Sequence, residues 1–217
     1  MLKVISFDVD GTLVNTDETV INTWLELYKV YKPKDFKPDI EKARTFSGPP
    51  LNESLTKEFP EYDYDFILEQ YKERTVKYYD NDIKFFPNVE ETLIKLKKDG
   101  YKLAILTSKN RYMTLYTLKL ANLDASLFDY IVAGDEVSKN KPDPEGLKKI
   151  MAHFYISNNE LLNIGDTEYD LGAGENAHVD TILMTMCKRK YKSIIHPYKF
   201  VNSYNELYEV IKNYDNK

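Results

Sequence analysis

Short apolar segments, each followed by a polar or glycine-containing loop and then by a helical pattern, recur along this 217-residue chain. The segments cover residues 4–7, 103–106, 130–133, 161–164 and 181–186. Apolar runs of this length are typical of strands buried on both faces, and the helical patterns between them indicate crossover connections. The sequence therefore predicts an α/β fold built on a doubly wound, Rossmann-like parallel sheet.

Residues 16–85 interrupt this alternation of strands and helices. They contain helical patterns with many aromatic residues, among them Trp24 and Tyr71, and no convincing strand. A loop of that length without structure of its own is uncommon in a compact domain. We therefore predict an inserted all-helical domain over residues 16–85, with residues 1–15 and 86–217 forming the catalytic core.

The first apolar run leads directly into Asp8, Asp10 and Gly11. In doubly wound folds, ligands bind beyond the carboxyl ends of the strands, where these side chains project. Two carboxylates at such a place can hold a hard cation such as Mg²⁺, and one can attack phosphorus to form an acyl phosphate. A polar strand exit with an aspartate at a helix cap is the alternative that this loop alone leaves open.

Two further loops carry groups that suit a phosphate. Thr107 and Ser108 follow the second apolar run, where hydroxyl and backbone N–H groups can donate to phosphate oxygens, although a simple helix entry has the same letters. Lys141 follows the third run, and Pro142 and Pro144 restrict the backbone around it. Lys141 is thus suited to act as a fixed positive charge against phosphate, with a merely solvated lysine as the alternative.

Asp166 and Asp170 follow the fourth apolar run. Asp166 can complete a magnesium site, and Asp170, one helical turn later, can orient waters or the loop. Carboxylates at a helix start also complement the helix dipole, which is the structural alternative. Four strand ends together supply carboxylates, a hydroxyl and a lysine, which are the groups that phosphoryl transfer uses. The conjunction predicts magnesium-dependent phosphate chemistry.

In order and spacing, these four stretches resemble the motifs of the haloacid dehalogenase superfamily, specifically its phosphatases with a helical cap inserted after the first motif. The resemblance covers nearly the whole chain. It implies that Asp8 is the nucleophile and that Asp10 is the general acid, which later activates water against the aspartyl phosphate. It also implies that Asp8, the backbone carbonyl of Asp10 and Asp166 hold Mg²⁺, with Asp170 nearby.

The resemblance places the transferring phosphate against Gly11, Thr107, Ser108 and Lys141, where Lys141 and Mg²⁺ offset its negative charge. It also implies that residues 16–85 form a cap that opens and closes on hinges near residues 14–17 and 83–87.

Several branches of the superfamily can be compared with this sequence. Dehalogenases and phosphonatases lack the second carboxylate of the first motif, so Asp10 argues against both. Beta-phosphoglucomutases usually carry a histidine at the position of Val20 and an arginine at that of Leu51, and both departures weaken that interpretation. Residues 46–55, with the letters FSGPPLNESL, are similar to the cap loop of phosphoglycolate phosphatase-like proteins and related pyrophosphatases.

Substrate choice should depend on the cap, for which the candidate residues are Arg44, Ser47, Gly48, Asn52 and Glu53. The leading prediction is hydrolysis of a small phosphorylated metabolite such as phosphoglycolate. Inorganic pyrophosphate, phosphoryl transfer of the mutase kind, and non-catalytic binding of a phosphorylated ligand stay open.

Composition excludes several other classes of function. A net charge of −5 argues against a general nucleic-acid binder. Cys187 is the only cysteine, so no intrachain disulfide can form, which favours a cytoplasmic protein. No apolar stretch suggests a signal peptide or a membrane span. The patterns leave monomer and homodimer equally open.

Two departures are interpreted as structural. His178 stands where the family often has glycine, which we expect to alter a turn. We interpret the basic run at residues 188–192 as a solvated loop.

Overall fold

The computed structural model describes residues 1–47, 49, 51–187 and 193–214, apart from the side chains of residues 47 and 80–82. Its strands are β1 (Val4–Phe7), β2 (Val14–Asn15), β3 (Lys84–Phe85), β4 (Lys102–Leu106), β5 (Tyr130–Val132), β6 (Leu161–Gly165), β7 (Thr181–Met184) and β8 (Lys199–Val201). Its helices are α1 (Asp17–Tyr31), α2 (Ile40–Arg44), α3 (Leu51–Glu58), α4 (Tyr64–Asp82), α5 (Val89–Lys98), α6 (Arg111–Leu120), α7 (Glu145–Phe154), α8 (Glu168–Ala177) and α9 (Tyr204–Lys212). No helix within these ranges is both long enough and apolar enough to cross a membrane.

Six strands form one parallel sheet in the order β5-β4-β1-β6-β7-β8. Every residue of β1, β6 and β7 is buried, because helices cover both faces of the sheet. The predicted α/β doubly wound fold is confirmed. The chain builds outward from β1 through β4 and β5 and then returns to the other side of β1 for β6. The carboxyl end of β1 is therefore a switch point of the topology, the usual place for a ligand in such sheets.

The sheet differs from the sequence prediction at its far edge. Strand β8 was not predicted, because two of its three residues, Lys199 and Phe200, are exposed and the segment contains no continuous apolar run. Strand β7 ends at Met184, two residues earlier than the apolar pattern indicated.

Helices α1 to α4 lie between β2 and β3 and bury a hydrophobic cluster separate from those of the sheet. At its centre, the Trp24 ring stacks on Phe46 with 4.0 Å between centroids and lies 6.0 Å from the ring of Phe59. Residues Tyr79 and Ile83, near the end of α4, pack instead with the core of the sheet. These helices agree with the predicted helical insertion, while its exact boundaries at residues 16 and 85 stay a prediction.

The expectation that residues 16–85 contain no strand is wrong at one end. Strand β3 pairs antiparallel with β2, with Val14 opposite Phe85 and Asn15 opposite Lys84. The two connections that lead into and out of the helices run side by side, so their backbone N–H and C=O groups bond to each other.

Because Trp24 is fully buried among these aromatic rings, Trp24→Ala should lower the free energy of unfolding by about 3–5 kcal/mol. Val76→Ala, at a position 53% exposed on α4, is the matched control and should change it by at most about 0.5 kcal/mol. Urea unfolding followed by circular dichroism measures both. Equal effects of the two substitutions would contradict a packed cluster around Trp24.

Candidate active site

Asp8 and Asp10 are positioned by a tight turn directly after β1. Gly11 has a φ of 84°, in the left-handed region that favours glycine, and its N–H donates to the Val14 carbonyl oxygen at 2.8 Å. The Tyr204 hydroxyl donates to the carbonyl oxygen of Thr12 at 2.9 Å, which fastens the turn to α9. The first motif thus lies at the carboxyl end of β1, as predicted.

Lys141 reaches this turn from the loop after β5. Its ammonium Nζ lies 2.7 Å from Asp8 Oδ1, 2.6 Å from Asp170 Oδ1 and 3.3 Å from the Leu106 carbonyl oxygen. An ammonium has three hydrogens to donate, and here each has an acceptor. Because the residue is only 6% exposed, the alternative of a solvated surface lysine is excluded.

Burial and neighbouring charges together shift the pKa values of Asp8 and Lys141. Burial raises the pKa of Asp8 to about 6; Lys141 opposes this rise and Asp170 adds to it. Burial alone would lower the pKa of Lys141, but Asp170 and Asp8 hold it above its usual value. The lysine is therefore always charged, and one ammonium does not neutralise the surrounding carboxylates.

Three carboxylates form a group that suits a metal ion. Asp8, Asp166 and Asp170 are buried, and each offers an oxygen within 4.8 Å of the others. The Thr12 hydroxyl lies 3.3 Å from Asp166 Oδ1. Mg²⁺ prefers carboxylate oxygens as ligands, and these three carboxylates outnumber the one ammonium beside them. The residues therefore fit the predicted cation. The Asp10 side chain lies outside the group.

Asp170 serves the fold and the site at once. Its Oδ2 accepts hydrogen bonds from the Thr167 hydroxyl at 2.6 Å and from the Thr167 and Asp166 N–H groups at 3.0 and 3.3 Å, which caps α8. Its Oδ1 faces Lys141. A Cβ at Gly165 would lie 2.2 Å from Asp170 Cγ, so this close approach requires glycine. The helix-cap interpretation of Asp170 is confirmed, while its role in a metal site stays a prediction.

Thr107 and Ser108 follow β4, beside β1. The Thr107 hydroxyl oxygen accepts from the N–H of Lys109 at 3.2 Å, which leaves its own hydrogen for another acceptor. The Ser108 hydroxyl is buried and has no hydrogen-bond partner within the described part of the chain. Both side chains can donate to an anion at this edge, as the prediction requires.

One residue of the site was not assigned from the sequence. Lys109 places Nζ 2.8 Å from Asp10 Oδ1 and 2.7 Å from the Tyr79 hydroxyl. It directly follows the predicted pair Thr107 and Ser108, so its place at a strand end was the available signal. The contact with α4 could not be read from the letters, because Tyr79 is 30 positions away.

Arg44, Asn52 and Glu53 are the predicted cap residues whose side chains the structure describes, and none of them forms a hydrogen bond or an ion pair with Asp8. Arg44 places Nη1 3.3 Å from Asp17 Oδ2, and Asn52 is exposed on α3. The Ser47 side chain and Gly48 lie outside the described residues, as does the basic run at 188–192.

One electrostatic interaction relates α3 to the core. Burial raises the pKa of the Tyr169 hydroxyl, and the carboxylates of Glu53 and Glu168 raise it further. Glu53 belongs to α3, whereas Tyr169 lies in α8 between Asp166 and Asp170. Helix α3 therefore lies close to the segment that carries the fourth motif.

His178 occupies a turn, as predicted. It has a φ of 55° and caps the end of α8, where its N–H donates to the Glu175 carbonyl oxygen at 3.1 Å. Glycine is usual at such a left-handed position, and histidine is one of the residues that tolerate it.

Comparisons with known proteins agree with this geometry. The profile of haloacid dehalogenase-like hydrolases matches residues 5–184. A pyrophosphatase PpaX of Bacillus cereus is 31% identical over 214 residues, which cover 98% of this chain and 97% of that protein.

Solved structures share the fold. A protein of Bacteroides fragilis, assigned as a haloacid dehalogenase-like hydrolase, superposes with a TM-score of 0.82 at 26% identity over 95% of this chain and 100% of its own. A predicted phosphoglycolate phosphatase of Haemophilus somnus superposes with a TM-score of 0.77 at 21% identity, over 97% and 98% of the two chains. With the motifs assembled at one edge of the sheet, the chain belongs to the haloacid dehalogenase-like hydrolase family.

Proposed function

We propose that this hydrolase is a Mg²⁺-dependent phosphatase that acts through an aspartyl phosphate, the acyl phosphate of Asp8. The observation that carries the proposal is the buried Asp8 carboxylate, 2.7 Å from Lys141 Nζ and grouped with the carboxylates of Asp166 and Asp170. A carboxylate can serve as a nucleophile toward phosphorus when positive charge offsets its repulsion from the phosphate. Relatives named as phosphatases and pyrophosphatases support the same class.

In the first step, an oxygen of Asp8 forms a bond to phosphorus while the bond to the leaving oxygen breaks. Asp10 transfers its proton to that oxygen, so the product leaves as an alcohol or as a protonated phosphate. Lys141 offsets the charge of the phosphoryl oxygens, and the hydroxyls of Thr107 and Ser108 donate to them.

In the second step, Asp10 takes a proton from water, whose oxygen attacks phosphorus. The bond between phosphorus and Asp8 breaks, inorganic phosphate leaves, and both carboxylates return to their starting states. Mg²⁺, when held by Asp8, Asp166 and Asp170, would supply positive charge against the repulsion between carboxylate and phosphate.

Two substrate classes have support. The cap-loop resemblance of residues 46–55 favours a small phosphomonoester such as phosphoglycolate, which is our first candidate. Inorganic pyrophosphate is the second, because the Bacillus cereus relative that aligns over 98% of this chain is named a pyrophosphatase. Both are small phosphorylated anions and both fit the same two steps. We propose neither a nucleic-acid nor a membrane partner.

Asp8→Asn should lower kcat by at least about 10³-fold, because an amide does not attack phosphorus. In Asp10→Asn, the second step loses its base, so protein that carries ³²P on Asp8 should accumulate from a ³²P-labelled substrate. Acid quenching followed by hydroxylamine, which cleaves acyl phosphates, measures the label. Asp35→Asn, at an exposed loop position, is the control. Full activity in Asp8→Asn would refute the assigned nucleophile.

Mg²⁺ should raise the melting temperature of the purified protein, by an amount equivalent to about 2.7 kcal/mol at a hundredfold excess over its dissociation constant. Asp166→Asn should abolish the rise, because it removes one of the three buried carboxylates without unpairing Lys141. Asp65→Asn, at an exposed position on α4, should keep it. The same rise in Asp166→Asn as in the unaltered protein would contradict this metal site.

Phosphate release from a panel of phosphomonoesters, sugar phosphates, nucleotides and pyrophosphate should identify the substrate class. We expect the highest kcat/KM for a small phosphomonoester, since the cap loop selects the group beyond the phosphoryl. A preference for pyrophosphate of about tenfold or more, which corresponds to about 1.4 kcal/mol in the transition state, would make the second candidate correct. Transfer to a hexose phosphate without phosphate release would indicate a mutase.

A further inference from the structure

Lys109 forms a second buried ion pair at the site, separate from that of Lys141. Besides Asp10 Oδ1 and the Tyr79 hydroxyl, its ammonium contacts Thr117 Oγ1 at 3.1 Å. The side chains of Lys109 and Asp10 are only 14% and 15% exposed. The function proposed above gives Lys109 no role.

The ammonium of Lys109 is fully occupied by the protein. Its three hydrogens have three acceptors, one each from the first-motif turn, from α4 and from α6. Burial alone would lower the pKa of Lys109, but Asp10 and Tyr79 hold it above the usual value. Because all three ammonium hydrogens have protein acceptors, Lys109 is suited to fix a protein side chain and not to bind a phosphate.

The group that it holds is the carboxylate assigned to both proton transfers. Proton transfer requires the acid to lie within hydrogen-bond reach of the reacting oxygen, and a misplacement of about 1 Å can cost about 10²-fold in rate. The turn after β1 fixes the backbone of Asp10, but its side chain still has two free torsions. The contact of 2.8 Å to Lys109 restricts them.

Tyr79 connects this ion pair to the helical insertion. It lies on α4, is 5% exposed, and its ring stacks on Tyr116 of α6 with 6.2 Å between centroids. The ammonium therefore joins Asp10 of the core to a helix of the insertion.

From these contacts we propose that Lys109 is a positioning residue, which fixes the Asp10 carboxylate for proton transfer and links its placement to α4 through Tyr79. The proposal rests on the role of Asp10 in the proposed function.

The test measures how kcat/KM depends on the leaving group. Ring-substituted phenyl phosphates, from p-nitrophenyl phosphate to phenyl phosphate, are hydrolysed in the presence of Mg²⁺. A poor leaving group needs protonation by Asp10, whereas p-nitrophenolate leaves with little help. Lys109→Met should lower kcat/KM by about 10²-fold for phenyl phosphate but by only about tenfold for p-nitrophenyl phosphate. The dependence on leaving-group pKa should become steeper.

Lys119→Met is the matched control, because it makes the same change at an exposed position of α6. It should leave the dependence of kcat/KM on leaving-group pKa unaltered. Asp10→Asn is the reference and should steepen it at least as much as Lys109→Met. An equal loss for all esters in Lys109→Met would overturn the positioning role, because lost packing or weaker phosphate binding does not discriminate between leaving groups.

The two proposals fail differently. If Asp10→Asn leaves the dependence unchanged, the general-acid role itself is refuted, and the role of Lys109 with it. If Asp10→Asn steepens the dependence of kcat/KM on leaving-group pKa and Lys109→Met does not, only the positioning role of Lys109 is refuted. Tyr79→Phe, which keeps the charge and removes one acceptor, should steepen the dependence less than Lys109→Met; an unchanged dependence would refute the link to α4. If circular dichroism shows that Lys109→Met does not fold, Tyr79→Phe tests the positioning role in its place.

Discussion

The buried ammonium of Lys141 between Asp8 and Asp170 is the interaction on which the rest of the site depends. A charge in the protein interior is tolerated only when it is paired and hydrogen-bonded, and removal of one partner from such a pair typically costs about 3–5 kcal/mol. The pairing of Lys141 therefore requires that the turn after β1, the loop after β5 and the first turn of α8 meet in one place. That requirement holds the proposed nucleophile Asp8, the lysine charge and the carboxylates proposed to bind Mg²⁺ together.

The parallel sheet makes this meeting possible. Strand β1 lies between β4 and β6, so the groups that follow these three strands converge at the switch point of the topology. Asp170 adds rigidity, because the carboxylate that faces Lys141 also caps α8, and Gly165 permits its close approach. A site built this way is held by secondary structure and not by loops alone, which favours the preorganised electrostatics that phosphoryl transfer needs.

Each carboxylate of the first motif is paired with its own lysine. Lys141 lies beside Asp8 among the clustered carboxylates, while Lys109 lies beside Asp10 and contacts the insertion through Tyr79. The two carboxylates of the motif have different tasks in the proposed reaction, nucleophile and proton carrier, and each has its own cation. In the proposed reaction, Lys109 links the position of α4 to the Asp10 carboxylate, so a movement of the helical insertion would change proton transfer.

The parallel core, the helical insertion and the four site-bearing strand ends followed from the letters alone, because buried strands leave continuous apolar runs and their chemistry follows at once in sequence. Strand β8 and the β2–β3 pair did not, since they are short, partly exposed and defined by backbone pairing. Lys109 looked like any other lysine after a strand. Only tertiary packing, which brings Asp10, Tyr79 and Thr117 around one ammonium, distinguished it, because contacts between residues far apart in sequence leave no local pattern.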